Sequence, residues 1–239
     1  MNSTDAQVSW KNIWEKKGNV TAENVTLEDL IAINGFETGA GAFPVESWLQ
    51  FVEEIKIELG LLDDQKLLEV GCGSGAFLFP FFNSGIIVHG IDNSGSLVNL
   101  CSRIMKGGVF KETEANTLPF NENTFDAVVS NSVFQYFPSL DYSEDVIREI
   151  SRILKNKGKV ALLDINDSEK EQESISIRSE KIGAEKYDRL YGNLKHLYYN
   201  KDWFFAISAE LGFNCTIKDQ NIFGYDNSKF RYNVFLTKK

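Results

Sequence analysis

Residues 67–75 read Leu-Leu-Glu-Val-Gly-Cys-Gly-Ser-Gly, a short apolar run that stops at three alternating glycines. A run of this length bounded by glycines reads as a buried strand. Glycines directly behind it let the backbone turn and approach a bound molecule with no Cβ in the way. Ala76–Phe82 then reads as a helix, so the free N–H groups of its first turn face the same bend. Strand, glycine turn and helix together demand a parallel neighbour strand, and this confines the chain to the α/β class.

The rest of the chain supplies those neighbours. Ile86–Ile91, Val109–Lys111, Phe125–Ser130 and Lys159–Ile165 read as strands, with helices over Gly95–Met105 and Tyr142–Leu154 and a turn at Asn156–Gly158. The rhythm predicts a parallel sheet with helices on both faces. It breaks at residues 166–200, which are charged at first and then carry Tyr187, Tyr191, Tyr198 and Tyr199. A helix at Lys201–Leu211 and strands at Asn214–Lys218 and Phe230–Thr237 follow, the two strands expected as an antiparallel pair at the sheet edge. Ahead of the sheet, Trp10, Ile13 and Trp14 recur at helical spacing. Glu28–Ile33 suits a short helix, and Gly35, Gly39 and Gly41 mark a loop. Pro44–Gly60 reads as a helix with proline near its start and glycine at its end.

The glycine turn alone does not choose between cofactors. Gly71, Gly73 and Ala76 fit the relaxed dinucleotide pattern, so a NAD-dependent oxidoreductase is one reading. Asp92 ends the next strand, where a carboxylate accepts both hydroxyls of a ribose in either case. Glu69 separates the two readings. A negative charge directly before the loop suits a cofactor with a cationic amino-acid end, as S-adenosylmethionine (SAM) has, and gives a pyrophosphate nothing.

The continuation is distinctive: Gly90-Ile91-Asp92-Asn93-Ser94, Glu114-Ala115-Asn116-Thr117-Leu118-Pro119-Phe120, Phe125-Asp126-Ala127-Val128, and Arg152-Ile153-Leu154-Lys155. Over Lys66–Asp164 the chain resembles the class I SAM-dependent methyltransferases, in particular the UbiE-like group acting on small molecules. The resemblance implies a Rossmann-like seven-stranded sheet in the order 3-2-1-4-5-7-6 with strand seven antiparallel. It implies one domain: a helical cap over 1–64, a SAM-binding core over 65–165, a lid over 166–200, and a C-terminal helix and strands over 201–239. By the same resemblance Glu69, Gly71, Cys72, Gly73 and Gly75 form the loop around the methionine and ribose. Asp92 holds the ribose diol beside Asn93 and Ser94, Glu114 and Ala115 meet the adenine, and Asn131, Ser132 and Tyr136 lie toward the methionine end. Two departures stand out. Glu114 replaces an aspartate, and Gln135-Tyr136 stands where many relatives carry histidine.

A methyl donor that is already a sulfonium leaves the protein mainly an alignment task, with a base needed only for acceptors that hold a proton. The candidate catalytic groups are His196, Asp164 at the end of the fifth strand, and Tyr199. Trp14 and the loop 36–43 are expected to close over SAM, with His196 and Tyr198 or Tyr199 closing over the acceptor. Asp126 reads as a structural carboxylate, and His89 as a packed histidine.

Composition narrows the partners. The net charge of −9 and the lack of a Lys/Arg cluster speak against nucleic acid. No apolar run reaches the ~18 residues of a membrane helix, and Met1–Gln7 lacks the basic start of a signal peptide, so a cytoplasmic chain is expected. Three scattered cysteines and two histidines offer no metal site. The expected activity is methyl transfer from SAM, leaving S-adenosylhomocysteine (SAH), to an O or N atom of a small molecule: a sugar derivative, a phosphorylated metabolite or a natural-product intermediate. A monomer or homodimer is expected, and a non-catalytic SAM-binding regulatory module is the other alternative.

Overall fold

A computed structural model describes residues 3–20, 24–37, 41–183, 185 and 196–239. Three helices lead the chain: α1 (Ser3–Lys17), α2 (Leu27–Ile33) and α3 (Val45–Leu59). Thr26 and Asp29 close a reciprocal capping box on α2. α3 follows Pro44 and ends at Gly60 in the left-handed conformation, φ 61°. Next come β1 (Lys66–Val70), α4 (Leu78–Asn83), β2 (Ile87–Asp92), α5 (Gly95–Ile104), β3 (Val109–Glu112), β4 (Phe125–Asn131), α6 (Leu140–Ile153) and β5 (Leu154–Asn166). The chain finishes with α7 (Glu171–Ile182), α8 (Lys201–Glu210), β6 (Phe213–Asp219) and β7 (Arg231–Lys238).

The strands form a seven-stranded sheet in the order β3-β2-β1-β4-β5-β7-β6. β1 to β5 pair in parallel, and β7 runs antiparallel to both β5 and β6. Alternate residues feed two cores. Leu67, Ala127, Val129, Ala161 and Leu163 pack with α2, α3 and α4, while Leu68, Val70, Val128, Val160 and Leu162 pack with α6 and α8. This is the layered arrangement the strand and helix rhythm predicts. It also removes the dinucleotide reading, whose sheet runs 3-2-1-4-5-6 without an inserted antiparallel strand.

Some boundaries differ from expectation for local reasons. α6 begins at Leu140 because the Ser139 hydroxyl accepts the Tyr142 N–H at its first turn. The turn expected at Asn156–Gly158 is absorbed into β5 as an irregularity. Lys157 takes φ 61°, and the pairing with β4 jumps from Phe125–Leu154 to Ala127–Lys159. The stretch after β5 is built in at both described ends, since Asp167 bridges to Tyr199 and α7 fills part of the interval. Tyr187 and Tyr191 lie outside the described residues.

Because β7 is antiparallel, its first residue lies at the edge where the parallel strands end. Arg231 stands opposite Asn166 in register. The ends of β1, β2, β4 and β5 and the start of β7 thus share one edge, the place where open α/β sheets bind ligands.

Candidate active site

A cavity of about 350 Å³ opens along that edge. Its first wall is the glycine turn. Gly71 and Gly73 have φ of 75° and 52°, and a Cβ on Gly73 would stand 2.5 Å from Asn34 Oδ1, so both positions call for glycine. Asn34, at the end of α2, clamps the turn by accepting the Ser74 N–H at 2.8 Å, while the Ser74 hydroxyl donates to Leu30 O. α2 is therefore part of the site, although its sequence reads only as a short helix.

Asp92 ends β2 with its two oxygens accepting N–H groups, from Gly73 and from Ser94, each at 2.9 Å. Burial pushes its carboxyl up from 3.8 to about 6, against the pull of those donors. A carboxylate offers about four acceptor positions, so two remain for a ligand. Glu114 and Ala115 continue the wall, and the Tyr142 hydroxyl donates to Glu114 Oε2 at 3.1 Å.

An aromatic wall joins distant segments. Trp10 stacks on His196 at 5.4 Å between ring centroids and meets Tyr136 edge-on at 4.7 Å. Tyr136 also touches Trp14 and His196. His196 is half-buried there. Loss of water around the ring, reinforced by the charges of Arg178 and Arg231, pushes its imidazolium down to about 3. At neutral pH the ring is uncharged and a weak base.

Of the residues expected at the cofactor, Trp14, Gly71, Gly73, Asp92, Asn93, Glu114, Ala115, Asn131, Ser132 and Tyr136 border the cavity, and His196 joins them from the expected acceptor side. Glu69, Cys72, Gly75 and Ser94 do not border it. Glu69 is held between Gly90 and Val129 in the sheet. Its Oε2 has no hydrogen-bond partner, and burial, with Cys101 and Asp92 nearby, holds its carboxyl well above the usual range. Cys72 is buried in the core, and a Cβ on Gly75 would meet Met105 Cε at 2.5 Å. The Ser94 hydroxyl caps α5 and donates to Glu15 on α1.

Two candidate catalytic residues are corrected by the structure. Tyr199 is fully buried in the second core against Phe134 and Phe204. Its hydroxyl is taken up by Ser143 Oγ at 2.7 Å and Phe134 O at 2.8 Å, so it neither reacts nor closes as a lid. Tyr198 likewise serves a neighbour, its hydroxyl accepting from Arg178 at 2.6 Å. Asp164 lies behind the cavity wall and organises it. It accepts from Ser132 Oγ, Gln220 Nε2 at 3.0 Å and the Tyr225 hydroxyl at 3.0–3.1 Å. Ser132 and Asp164 both adopt left-handed backbone, φ 60° and 59°. Such conformations in non-glycine residues cluster at functional sites.

Asp126 is structural as expected, receiving the Lys66 N–H and the Lys155 ammonium. His89 packs edge-on against Phe120 and Phe125. Phe36 and Gly41 of the expected closing loop border the cavity, while residues 38–40 lie outside those described. No cluster of three or more potential metal ligands is found among the described residues. Sequence reasoning missed Lys11, Asn34, Gln135, Arg178, Lys181, Tyr225, Asn227 and Arg231, all of which border the cavity.

The strand order with its antiparallel β7, the glycine turn after β1 and the acid ending β2 define the class I SAM-dependent methyltransferase fold. The chain matches, over residues 68–162 from β1 into β5, the family model described as a methyltransferase domain. It is 28% identical over 120 residues to the demethylmenaquinone methyltransferase of Thermotoga maritima, covering 49% of this chain and 50% of that one. It is 27% identical over 159 residues to the 18S rRNA (guanine-N(7))-methyltransferase bud23 of Schizosaccharomyces pombe, covering 60% and 59%. In fold it is similar to the geranyl diphosphate C-methyltransferase of Streptomyces coelicolor, solved with Mg2+, geranyl diphosphate and SAH. That likeness has a TM-score of 0.63 at 15% identity, over 100% of this chain and 99% of that one. The alignment with the Thermotoga enzyme spans about half of that relative's length.

Proposed function

We propose that the chain transfers the methyl group of SAM to an oxygen or nitrogen atom of a small molecule. The observation that carries this reading is one cavity with two unlike halves: the Gly71–Gly73 turn with Asp92, and the aromatic wall of Trp10, Tyr136 and His196. The cofactor's donor features fit the first half. Asp92 keeps two acceptor positions for a ribose diol, and the glycines remove the Cβ atoms that would fill the cradle. When bound, SAM supplies an activated methyl on a cationic sulfur.

The chain's own residues then bind, orient and exclude water. Asn131 and Ser132 lie at the end of β4, next to the turn, with Ser132 fixed by Asp164 and Gln135. Uncharged His196 orients an acceptor by hydrogen bonding and is a poor proton store, which favours acceptors that react without losing a proton first. Alignment of this kind is worth ~7–11 kcal/mol in favourable cases. A small acceptor fits a cavity of this size, and a net charge of −9 opposes a polynucleotide. Among the described residues no helix is long and apolar enough to cross a membrane. The free cysteines Cys72, Cys101 and Cys215 accord with a reducing, cytoplasmic setting.

The test is calorimetric titration of SAM and SAH, followed by detection of SAH release across an acceptor panel. His196→Ala should raise KM or lower kcat for the acceptor while SAH affinity stays nearly unchanged. A chain that binds NADH and ignores SAH would refute the reading.

A further inference from the structure

The part of the cavity farthest from Asp92 is built from cations. Arg231 opens β7, Arg178 and Lys181 lie on α7, and all three border the cavity. Arg231 is 3% exposed, yet its Nε and Nη1 are buried without a hydrogen-bond partner. Its ionic neighbour is Asp164, with Nε 3.5 Å from Oδ1. That carboxylate is already occupied by the Ser132 and Tyr225 hydroxyls and by Gln220. A guanidinium carries five donors; the Tyr225 hydroxyl engages this one, and leaving those on Nε and Nη1 buried and unmade is costly. This chain therefore maintains a desolvated cation with donors to spare on the wall of its candidate active site.

Arg178 adds a second cation whose described partners are all neutral: Ser174 O and Oγ, and the Tyr198 hydroxyl. Lys181 stands one turn further along α7 and pairs with the exposed Asp226. Three cations thus face two carboxylates, Asp164 and Asp226, inside a chain of strongly negative net charge. Arg178 and Lys181 also border an adjoining groove with Asp226, Asn227 and Lys229, three cations to one carboxylate, so the cationic wall continues to the surface.

The sheet separates this wall from the ribose end. β2 and β7 are four strand spacings apart, about 19 Å at ~4.8 Å per spacing. We propose that the acceptor is an anion, a carboxylate- or phosphate-bearing small molecule whose charged group is held by Arg231 and Arg178 with Lys181 at the entrance. A bidentate oxyanion satisfies the spare guanidinium donors, which a neutral acceptor leaves unmade. The inference rests on the proposed methyl-transfer reading, since it assigns the half of the cavity that SAM would leave open.

The test uses the full chain saturated with SAH, at low ionic strength, with malonate, malonamide and pyrophosphate as probes in calorimetric titrations. Malonate or pyrophosphate should bind about tenfold or more tightly than neutral malonamide, and the preferred anion tells carboxylate from phosphate. The double variant Arg178→Gln/Lys181→Gln, altered on the half-exposed α7 face, should lose about tenfold in anion affinity with SAH affinity preserved. Arg231→Lys, which keeps the charge and removes the fork, should weaken the anion further. Equal binding of malonate and malonamide overturns the proposal and leaves the SAM reading intact. Loss of SAH affinity in the α7 variant overturns it too, by assigning these cations to the cofactor. Failure of the wild-type chain to bind SAH removes the underlying reading, and the acceptor site falls with it.

Discussion

On the proposed reading, Asp92 ties cofactor affinity to pH in a direction opposite to its effect on folding. Its carboxyl lies at about 6 because it is buried, compared with 3.8 in water. Holding a ribose diol requires the ionised form, which accepts at both oxygens. At roughly pH 5 about nine-tenths of the sites are protonated, so SAH affinity should fall about tenfold, ~1.4 kcal/mol, from its value near neutrality. Folding responds with the other sign. The folded chain binds this proton more tightly than the unfolded chain, so the group lowers stability as pH rises from 3.8 to about 6. The full cost, about 3 kcal/mol above that window, disappears below it. Lowering the pH toward 5 should therefore loosen the cofactor while relieving the strain of the buried charge. Asp92→Asn keeps the shape, loses the titration, and should weaken SAH binding at neutral pH by about 1–3 kcal/mol. Calorimetric titration of SAH at several pH values, paired with thermal melts of the ligand-free chain in the same buffers, measures both signs. Identical pH profiles for wild type and Asp92→Asn would refute the reasoning, because the difference between them isolates this one carboxyl.

Gly73→Val should abolish SAH binding and keep the far-ultraviolet circular dichroism, since its Cβ would press on Asn34 at a backbone φ of 52°; wild-type affinity in that variant would count against the glycine cradle. Tyr199→Phe should cost about 1–2 kcal/mol of stability by stripping the hydroxyl from Ser143 and Phe134 O. Its acceptor kinetics should stay unchanged, and a KM shift without a change in melting temperature would restore Tyr199 to the site.

The readable half of the molecule is the half whose function is written in local order. Leu67–Gly75 encodes a strand and its turn within nine residues, and the next apolar run ends at Asp92, so Gly71, Gly73 and Asp92 can be placed without knowing anything distant. Tyr199 shows the opposite case. An aromatic near a presumed lid looks the same in sequence whether it faces a ligand or a core, and packing against Phe204 and Ser143 decides it. Arg231 and Arg178 were illegible for a further reason. Each lies in its own stretch, near one lysine (Lys181 and Lys229) and far from the other arginine, and only the reversal of β7 and the packing of α7 bring them to one wall. Asn34 was hidden in the same way, as an ordinary helix end until α2 lies on the glycine turn.

The order of the strands has a consequence for how such a chain diversifies. On the proposed reading the ribose end of the cavity is lined mainly between Gly71 and Ser132, a length that falls inside the family match, with Asn34 joining it from α2. The opposite wall is drawn from Trp10, Arg178, His196 and Arg231, all outside that match. Substitutions in those outlying segments can retune which molecule is accepted without touching the machinery that holds the methyl donor. Descendants of one ancestor can then keep a common cofactor while parting company over their substrates.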